Sequence, residues 1–133
     1  MEENGLAGSG NTPKDCKGMI AKAIGIMFAG RTVTHILHLK TKSYAEHKAL
    51  NEFYDEIVDL ADDLAEATQG QYGLLDIPFV NVSMPKDSTT FLKGQLAELD
   101  KVMSGCDEDY LMSIYQEVQK LYRSTLYKLV NLS

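Results

Sequence analysis

Cysteine is scarce in this chain of 133 residues, which contains only Cys16 and Cys106. The two do not form a CxxC motif and are too few for a disulfide framework, so we predict two reduced thiols in an intracellular protein. We also expect no signal peptide, because the first residues lack a basic start and an apolar run. The apolar stretch of residues 19–28 contains Lys22 and is followed by Arg31, which makes it too short to span a bilayer. We therefore expect a cytoplasmic protein without a membrane segment.

Positive charge is in the minority: 13 Lys and Arg residues face 19 Asp and Glu residues, and the formal net charge is -6. Such a protein repels phosphate backbones, so nucleic acid is not an expected partner. The sequence contains no Ser/His/Asp or Cys/His catalytic arrangement and no Gly-rich phosphate loop. A hydrophobic fraction of 44% indicates one globular domain rather than a disordered chain.

Helical periodicity runs through most of the chain. After a Gly-rich tail at residues 1–13, a single domain of residues 14–133 contains four predicted helices at about 14–40, 44–69, 88–103 and 108–132. Ser43 and Glu46 form a capping box at the start of the second helix. We expect Gly70 and Gly73 to end that helix, since glycine is the preferred residue just after a helix.

The connections between these helices predict their arrangement. About three residues join the first helix to the second and the third to the fourth, so each pair is expected to be an antiparallel hairpin. About 18 residues separate the two pairs, enough to run the whole length of a helix of about 39 Å. Residues 77–82 (IPFVNV) alternate weakly, but Pro78 argues against a strand in a sheet. We therefore predict an all-α fold, a ferritin-like four-helix bundle with a long crossover between helices 2 and 3.

The first helix has apolar residues on two sides. Besides the face that would enter the bundle, it carries a second stripe of Met19, Ile26, Val33 and Leu37. A monomeric bundle does not need this stripe. We therefore expect contacts between subunits and a homo-oligomer that contains at least a two-fold dimer.

Two histidines and two carboxylates form the most informative polar set. His47, Asp62 and Glu66 follow His35 at offsets of 12, 27 and 31 residues, and imidazole with carboxylate is a donor set for a first-row metal ion. His47 and Asp62 are 15 residues apart, about 22 Å along a helix, so they cannot bind one ion within a chain. In a two-fold dimer with antiparallel second helices, the histidines of one chain would meet the carboxylates of the other. The sequence thus predicts a site between subunits.

Residues 35–67 (HILHLKTKSYAEHKALNEFYDEIVDLADDLAEA) resemble the first-to-second-helix region of the Dps family of mini-ferritins. The resemblance implies iron binding and ferroxidase activity at a two-fold interface. The family's ligands fall on His35, His47, Asn51, Asp62 and Glu66 of this chain. Asn51 departs from the family's motif, because it stands in place of an Asp and removes one anionic ligand.

Residues 38–70 also resemble an uncharacterised family of small proteins from tailed phages. Membership would place the protein in infected bacterial cells without assigning an activity. The alternative function is then a non-enzymatic interaction protein that binds a host protein, or a small anionic ligand at a subunit interface near Arg31 and His38. For Arg31 we expect an internal salt bridge first and a bound anion second, since a buried guanidinium needs an anionic partner. His38 either lies satisfied in the core or replaces His35 as the ligand from the first helix.

Overall fold

The structure, a computed structural model, describes residues 13–132, with side chains from Cys16 onward. Four α-helices follow one another: α1 (Pro13–Lys40), α2 (Tyr44–Tyr72), α3 (Ser88–Met103) and α4 (Asp109–Asn131). No strand occurs within the described range, so the predicted all-α class is confirmed, and so is the prediction that residues 77–82 are not a sheet strand. The predicted tail lies outside the described residues except for Pro13, which begins α1 at a position that suits proline.

Half of the predicted capping box is present at the start of α2. The Ser43 Oγ accepts a hydrogen bond from the Glu46 N–H at 3.1 Å. The second hydrogen bond of the box, from the Ser43 N–H to the Glu46 carboxylate, was predicted wrongly. The Ser43 N–H donates to Thr41 Oγ1 at 3.1 Å instead. The Glu46 carboxylate instead accepts from the hydroxyls of Thr41 and Ser88. It therefore ties the loop between α1 and α2 to the start of α3.

The end of α2 lies beyond the predicted one. Gly70 remains helical, since one glycine weakens a helix by only about 1 kcal/mol relative to alanine and packing outweighs that loss. Gly73 ends the helix at a φ of 92°, which favours glycine, and its N–H donates to the Gln69 carbonyl at 2.9 Å. The prediction was wrong for Gly70 and confirmed for Gly73.

The helices contact one another in the cyclic order α1, α2, α4, α3, so that α1 lies diagonal to α4 and α2 lies diagonal to α3. One end of the bundle, which we call the disulfide end, joins the start of α1 to the loop between α3 and α4 through Cys16 and Cys106. The opposite end, which we call the histidine end, contains the loop between α1 and α2 and the start of α3. There the Lys128 ammonium of α4 contacts the Glu52 carboxylate of α2 at 2.8 Å.

The connection between α2 and α3, residues 73–87, is an extended segment that we call the link. It begins at the disulfide end, where Gly73 lies near the Lys17 side chain, and it passes Gly25 in the middle of α1. It ends at the histidine end, where the Ser88 hydroxyl donates to Glu46. The link therefore runs along α1 over most of the bundle. Whether the bundle is ferritin-like stays a prediction.

The second apolar stripe of α1 is mostly covered within the chain itself. Ile26, Val33 and Leu37 are buried, whereas Met19 is partly buried. The buried amide of Gln95 in α3 donates to the Ile26 carbonyl at 3.1 Å, and the link passes along the neighbouring side of α1. This burial removes the reason for expecting subunit contacts along the stripe, because the link, which a helical wheel of α1 does not show, covers that side of the helix. A homo-oligomer stays a prediction.

The same burial explains the apolar character of α1. Residues 16–40 are long and apolar enough to cross a membrane by length and composition, but 67% of the apolar 18-residue window within them is buried inside the protein. Burial of this extent is typical of the core helix of a globular domain. The helix is therefore no sign of a membrane segment by itself.

Two glycines allow α1 to be surrounded so closely. A Cβ on Gly25 would lie 2.6 Å from the Pro78 carbonyl oxygen of the link, and a Cβ on Gly30 would collide with the Gln95 side chain of α3. The Gln95 Oε1 also accepts a hydrogen bond from the Tyr122 hydroxyl at 2.7 Å. The absence of side chains at these two positions brings the link and α3 against α1.

Candidate functional site

A cluster of aromatic and basic side chains lies where α1 and α2 meet at the histidine end. The three-residue loop at positions 41–43 makes the two helices antiparallel neighbours, so matching positions on each helix face one another. Helix α1 contributes side chains at offsets of zero, four and seven residues, and α2 does the same. We call this set the histidine cluster, and it consists of Arg31, His35, His38, His47, Asn51 and Tyr54.

His38 and His47 form a reciprocal pair. Their rings stack with centroids 3.6 Å apart and planes inclined by 20°. His38 Nδ1 lies 2.6 Å from the His47 carbonyl oxygen, and His47 Nδ1 lies 2.9 Å from the His38 carbonyl oxygen. Because a carbonyl only accepts, both Nδ1 atoms carry the proton. His38 is thus a buried, hydrogen-bonded histidine, while His47 is half-buried.

Tyr54 is the platform for the other members of the cluster. The His35 ring stacks on it with centroids 4.1 Å apart, and the Arg31 guanidinium carbon lies 6.0 Å from the tyrosine centroid. The Tyr54 hydroxyl donates to Asn51 Oδ1 at 2.7 Å. Among the described residues Arg31 forms no ion pair, and a contact with the aromatic ring takes the place of the predicted internal salt bridge.

Asp62 and Glu66 lie far from the cluster, in the second half of α2. Both side chains are exposed, and Glu66 lines an open groove between α2 and α4 together with Tyr110 and Glu117. Within the part of the chain that the structure describes, no group of three or more His, Cys, Asp and Glu side chains is arranged to hold a metal ion. One chain therefore brings the predicted histidines together with Asn51 and leaves the predicted carboxylates apart, as the spacing along the helix requires.

The two cysteines are bonded to each other, which corrects the prediction of reduced thiols. Cys16 at the start of α1 and Cys106 after α3 are 90 residues apart in sequence, and their Cα atoms are 4.8 Å apart. Both side chains are buried. The pairing follows from the return of α3 to the disulfide end, which spacing alone does not reveal.

Sequence reasoning missed a groove between α1 and the link. We call it the α1–link groove; it has a volume of about 390 Å³, and its apolar lining includes Phe28, Ile36, Phe79, Val82 and Met84. The Phe79 side chain is 90% exposed at its border. The available signal was the uncharged run of residues 77–85. This run alone does not predict a groove, because its exposure depends on where the link lies against α1.

Comparisons with known proteins identify the chain's relatives. The model of a family of unknown function, DUF5856, matches residues 38–129, which include His38, His47 and the link and exclude Arg31 and His35. The "Uncharacterized 14.6 kDa protein in mobD-ri intergenic region" of Enterobacteria phage T4 is 30% identical over 103 residues, which are 77% of this chain and 73% of the phage protein. No solved structure matches the chain.

These matches confirm the predicted resemblance to small phage proteins. They do not show the resemblance to mini-ferritins, because one match is a family of unknown function and the other is an uncharacterized protein. The matched region covers α2, the link, α3 and most of α4. The chain belongs to the DUF5856 family, with a phage protein among its relatives.

Proposed function

We propose that this is a non-enzymatic interaction protein that acts in the infected bacterial cell by binding a polypeptide chain in the α1–link groove. The observation that carries the proposal is the 90% exposure of Phe79 beside a groove lined by other apolar side chains. A large apolar patch on a globular protein marks an interaction site more often than an accident of packing. The groove therefore has the features of a docking surface for a protein.

The chemistry of the groove supports binding rather than catalysis. None of its lining residues is ionisable, and the polar members are limited to Thr32 and Asn81. Acid–base or nucleophilic catalysis requires a titratable or activated side chain in the site. The groove instead suits the apolar side chains of another polypeptide. Phe28 and Ile36 of α1 line one side of it, and the link lines the other.

A photo-crosslinking experiment tests this function. Benzoylphenylalanine replaces Phe79 in the phage-encoded protein, and the infected cells are irradiated. We expect a covalent adduct with a polypeptide, because position 79 lies at the border of the groove. The matched control carries the same amino acid at Gln116, an exposed position on α4, and should give no adduct.

A second substitution makes the test specific to the groove. Ile36→Asp places a charge in the apolar lining and should abolish the adduct at position 79. The absence of an adduct at position 79, or adducts of equal yield at positions 79 and 116, would contradict the proposed function.

A second candidate is a metal site of the kind predicted from the sequence. It is favoured by the hydrogen bond from His47 Nδ1 to the His38 carbonyl, since metal-binding histidines hold their second ring nitrogen in this way and leave Nε2 as the donor atom. His35 and His47 of one chain, with Asp62 and Glu66 of a partner, would hold iron and carry out ferroxidase chemistry. Asn51 contributes less, because its Oδ1 already accepts from Tyr54.

Metal titration separates this candidate from the first. Iron oxidation in air and cobalt binding are measured for the wild type, for His47→Ala and for Asp59→Ala, which changes an exposed α2 residue outside the predicted set. The metal candidate predicts activity that His47→Ala removes and Asp59→Ala retains. Equal behaviour of the three proteins and buffer would exclude it.

A further inference from the structure

We infer that the chain that occupies the α1–link groove is a second copy of this protein, joined to the first by antiparallel pairing within residues 79–84 about a two-fold axis. This inference rests on the proposed function, because it names the partner of the same groove. Each copy would place Phe79 against the groove of the other. The interface is then isologous, with the same surface on both subunits.

The backbone of the link is open for such pairing. Among the described residues, none of the backbone N–H or C=O groups of residues 76–86 takes part in a hydrogen bond. The segment is also extended, with no helical turn between Gly73 and Pro85. An extended segment with free donors and acceptors is a template for another strand. A single extended partner would satisfy the edge that faces it.

The two prolines of the link limit the register. Pro78 and Pro85 cannot donate to a strand ladder, and they bracket residues 79–84, which all can. About a two-fold axis, the residue at the axis lies opposite its own copy, because both copies of a residue point to the same face. An axis at Asn81 pairs residues 79–83, and an axis at Val82 pairs residues 80–84, in each case without a proline. Other axis positions between the two prolines leave three or fewer consecutive residues to pair.

The charge distribution favours this surface for self-association. Each copy carries a net charge of -6, so two copies repel one another over most of their surfaces. The outer face of α2 is a clear example, with exposed Asp59, Asp62 and Asp63. Residues 77–85 of the link carry no charge. Contact there keeps the acidic faces of the two copies apart.

The apolar area is close to what a stable dimer needs. The exposed fractions are 38% for Phe28, 40% for Ile36, 90% for Phe79, 44% for Val82 and 43% for Met84. Together they amount to roughly 400–500 Å² of apolar surface per copy, against about 800 Å² of total surface per partner in a standard interface. The link backbone and the polar neighbours Thr32 and Asn81 contribute to the remainder. Packing on α1 also provides the support that an isolated two-stranded ribbon lacks.

The mass of the full-length protein in solution, measured over a range of concentrations, tests the inference. One chain has a mass of 14.8 kDa, and we expect a species of twice that mass. Phe79→Asp should weaken the self-association by roughly a hundredfold, because a carboxylate replaces the most exposed apolar ring of the contact. Leu74→Asp is the matched control, since Leu74 is an equally exposed link residue outside the groove, and it should leave the dimer intact.

A pair of cysteine variants tests the register. Directly opposite residues of antiparallel strands point to the same face at a distance that a disulfide can bridge. One of the two variants Asn81→Cys and Val82→Cys, the one with its cysteine at the axis, should therefore crosslink readily by itself under oxidation. A mixture of the two should give no disulfide between positions 81 and 82, because neighbouring residues of a strand point to opposite faces.

Each outcome decides the inference. A wild type that stays monomeric at 200 µM, a dimer that Phe79→Asp leaves intact, or the failure of both cysteine variants to crosslink by themselves would each overturn it. An adduct at position 79 with the mass of a different polypeptide, together with a monomeric protein, would overturn the inference and leave the proposed function standing. No adduct at all would remove both.

Discussion

At the disulfide end, Cys16 is bonded to Cys106, and the Tyr72 hydroxyl donates to the Glu108 carboxylate. At the histidine end, His38 and His47 stack and each bonds the backbone of the other. The contacts named at the first end join residues 90 and 36 positions apart, whereas the two stacked histidines are nine positions apart. The disulfide depends on how the whole chain folds, whereas the histidine pair needs only the α1–α2 hairpin.

Of the changes at the two ends, reduction of the disulfide is expected to lower the free energy of unfolding the most. Closing a loop of 90 residues stabilises a fold by about 4 kcal/mol through the unfolded chain. Urea unfolding of the wild type should therefore show a free energy of unfolding lower by about that amount when a reductant is present. A chain with Cys16→Ala and Cys106→Ala is the control, since a reductant should not change it. Equal stability of the reduced and oxidised wild type would contradict this prediction.

Removal of Tyr54 is the corresponding test of the histidine end. Tyr54→Ala deletes a buried ring that stacks with His35 and contacts Arg31, and such deletions destabilise by about 3 kcal/mol. Tyr54→Phe retains the ring and loses only the hydrogen bond to Asn51, so a loss of about 1 kcal/mol is expected. Equal losses for the two variants in urea unfolding would show that stacking contributes nothing.

The Tyr72 hydroxyl should make a smaller, pH-dependent contribution to the disulfide end. Its hydrogen bond to Glu108 raises the pKa of Tyr72 to about 12, because an ionised tyrosine could not donate and would repel the carboxylate. The ordinary pKa is about 10, so the stabilisation is complete below that pH and is lost as the pH rises from about 10 to 12. Urea midpoints of the wild type and Tyr72→Phe should therefore differ at pH 8 and converge at high pH. A constant difference would be evidence against the contact.

The smallest effect is expected from the surface ion pair at the histidine end. Lys128 and Glu52 are in contact at 2.8 Å, with side chains 41% and 50% exposed, so Lys128→Met should lower stability by about 0.5 kcal/mol. The hydrogen bond from Lys128 lowers the pKa of Glu52, so this contribution is present at neutral pH and is lost in acid as Glu52 becomes protonated. Lys120→Met is the control, since Lys120 is exposed on the same helix and has no ion pair among the described residues. The difference between the two variants should shrink in 1 M salt.

The same contrast explains what could be predicted from the sequence. Helix periodicity and the cap at Ser43 depend on neighbours in the chain, so three helices lie close to their predicted bounds and α2 is extended at its end. The meeting of His38 with His47 needed only a short loop between two helices. The bond between Cys16 and Cys106 and the groove beside Phe79 depend on where distant segments return, and periodicity carries no information on that.

Because the protein is synthesised from its N-terminus, the link determines how long one side of α1 stays exposed. Helix α1 leaves the ribosome before residues 73–103, which cover two of its sides. At about 5–20 residues per second, α1 is paired with α2 alone for several seconds. During that interval its remaining apolar flank is open to chaperones and to other nascent chains. When the link packs against Gly25, it covers that side of α1, although the link has no regular secondary structure of its own.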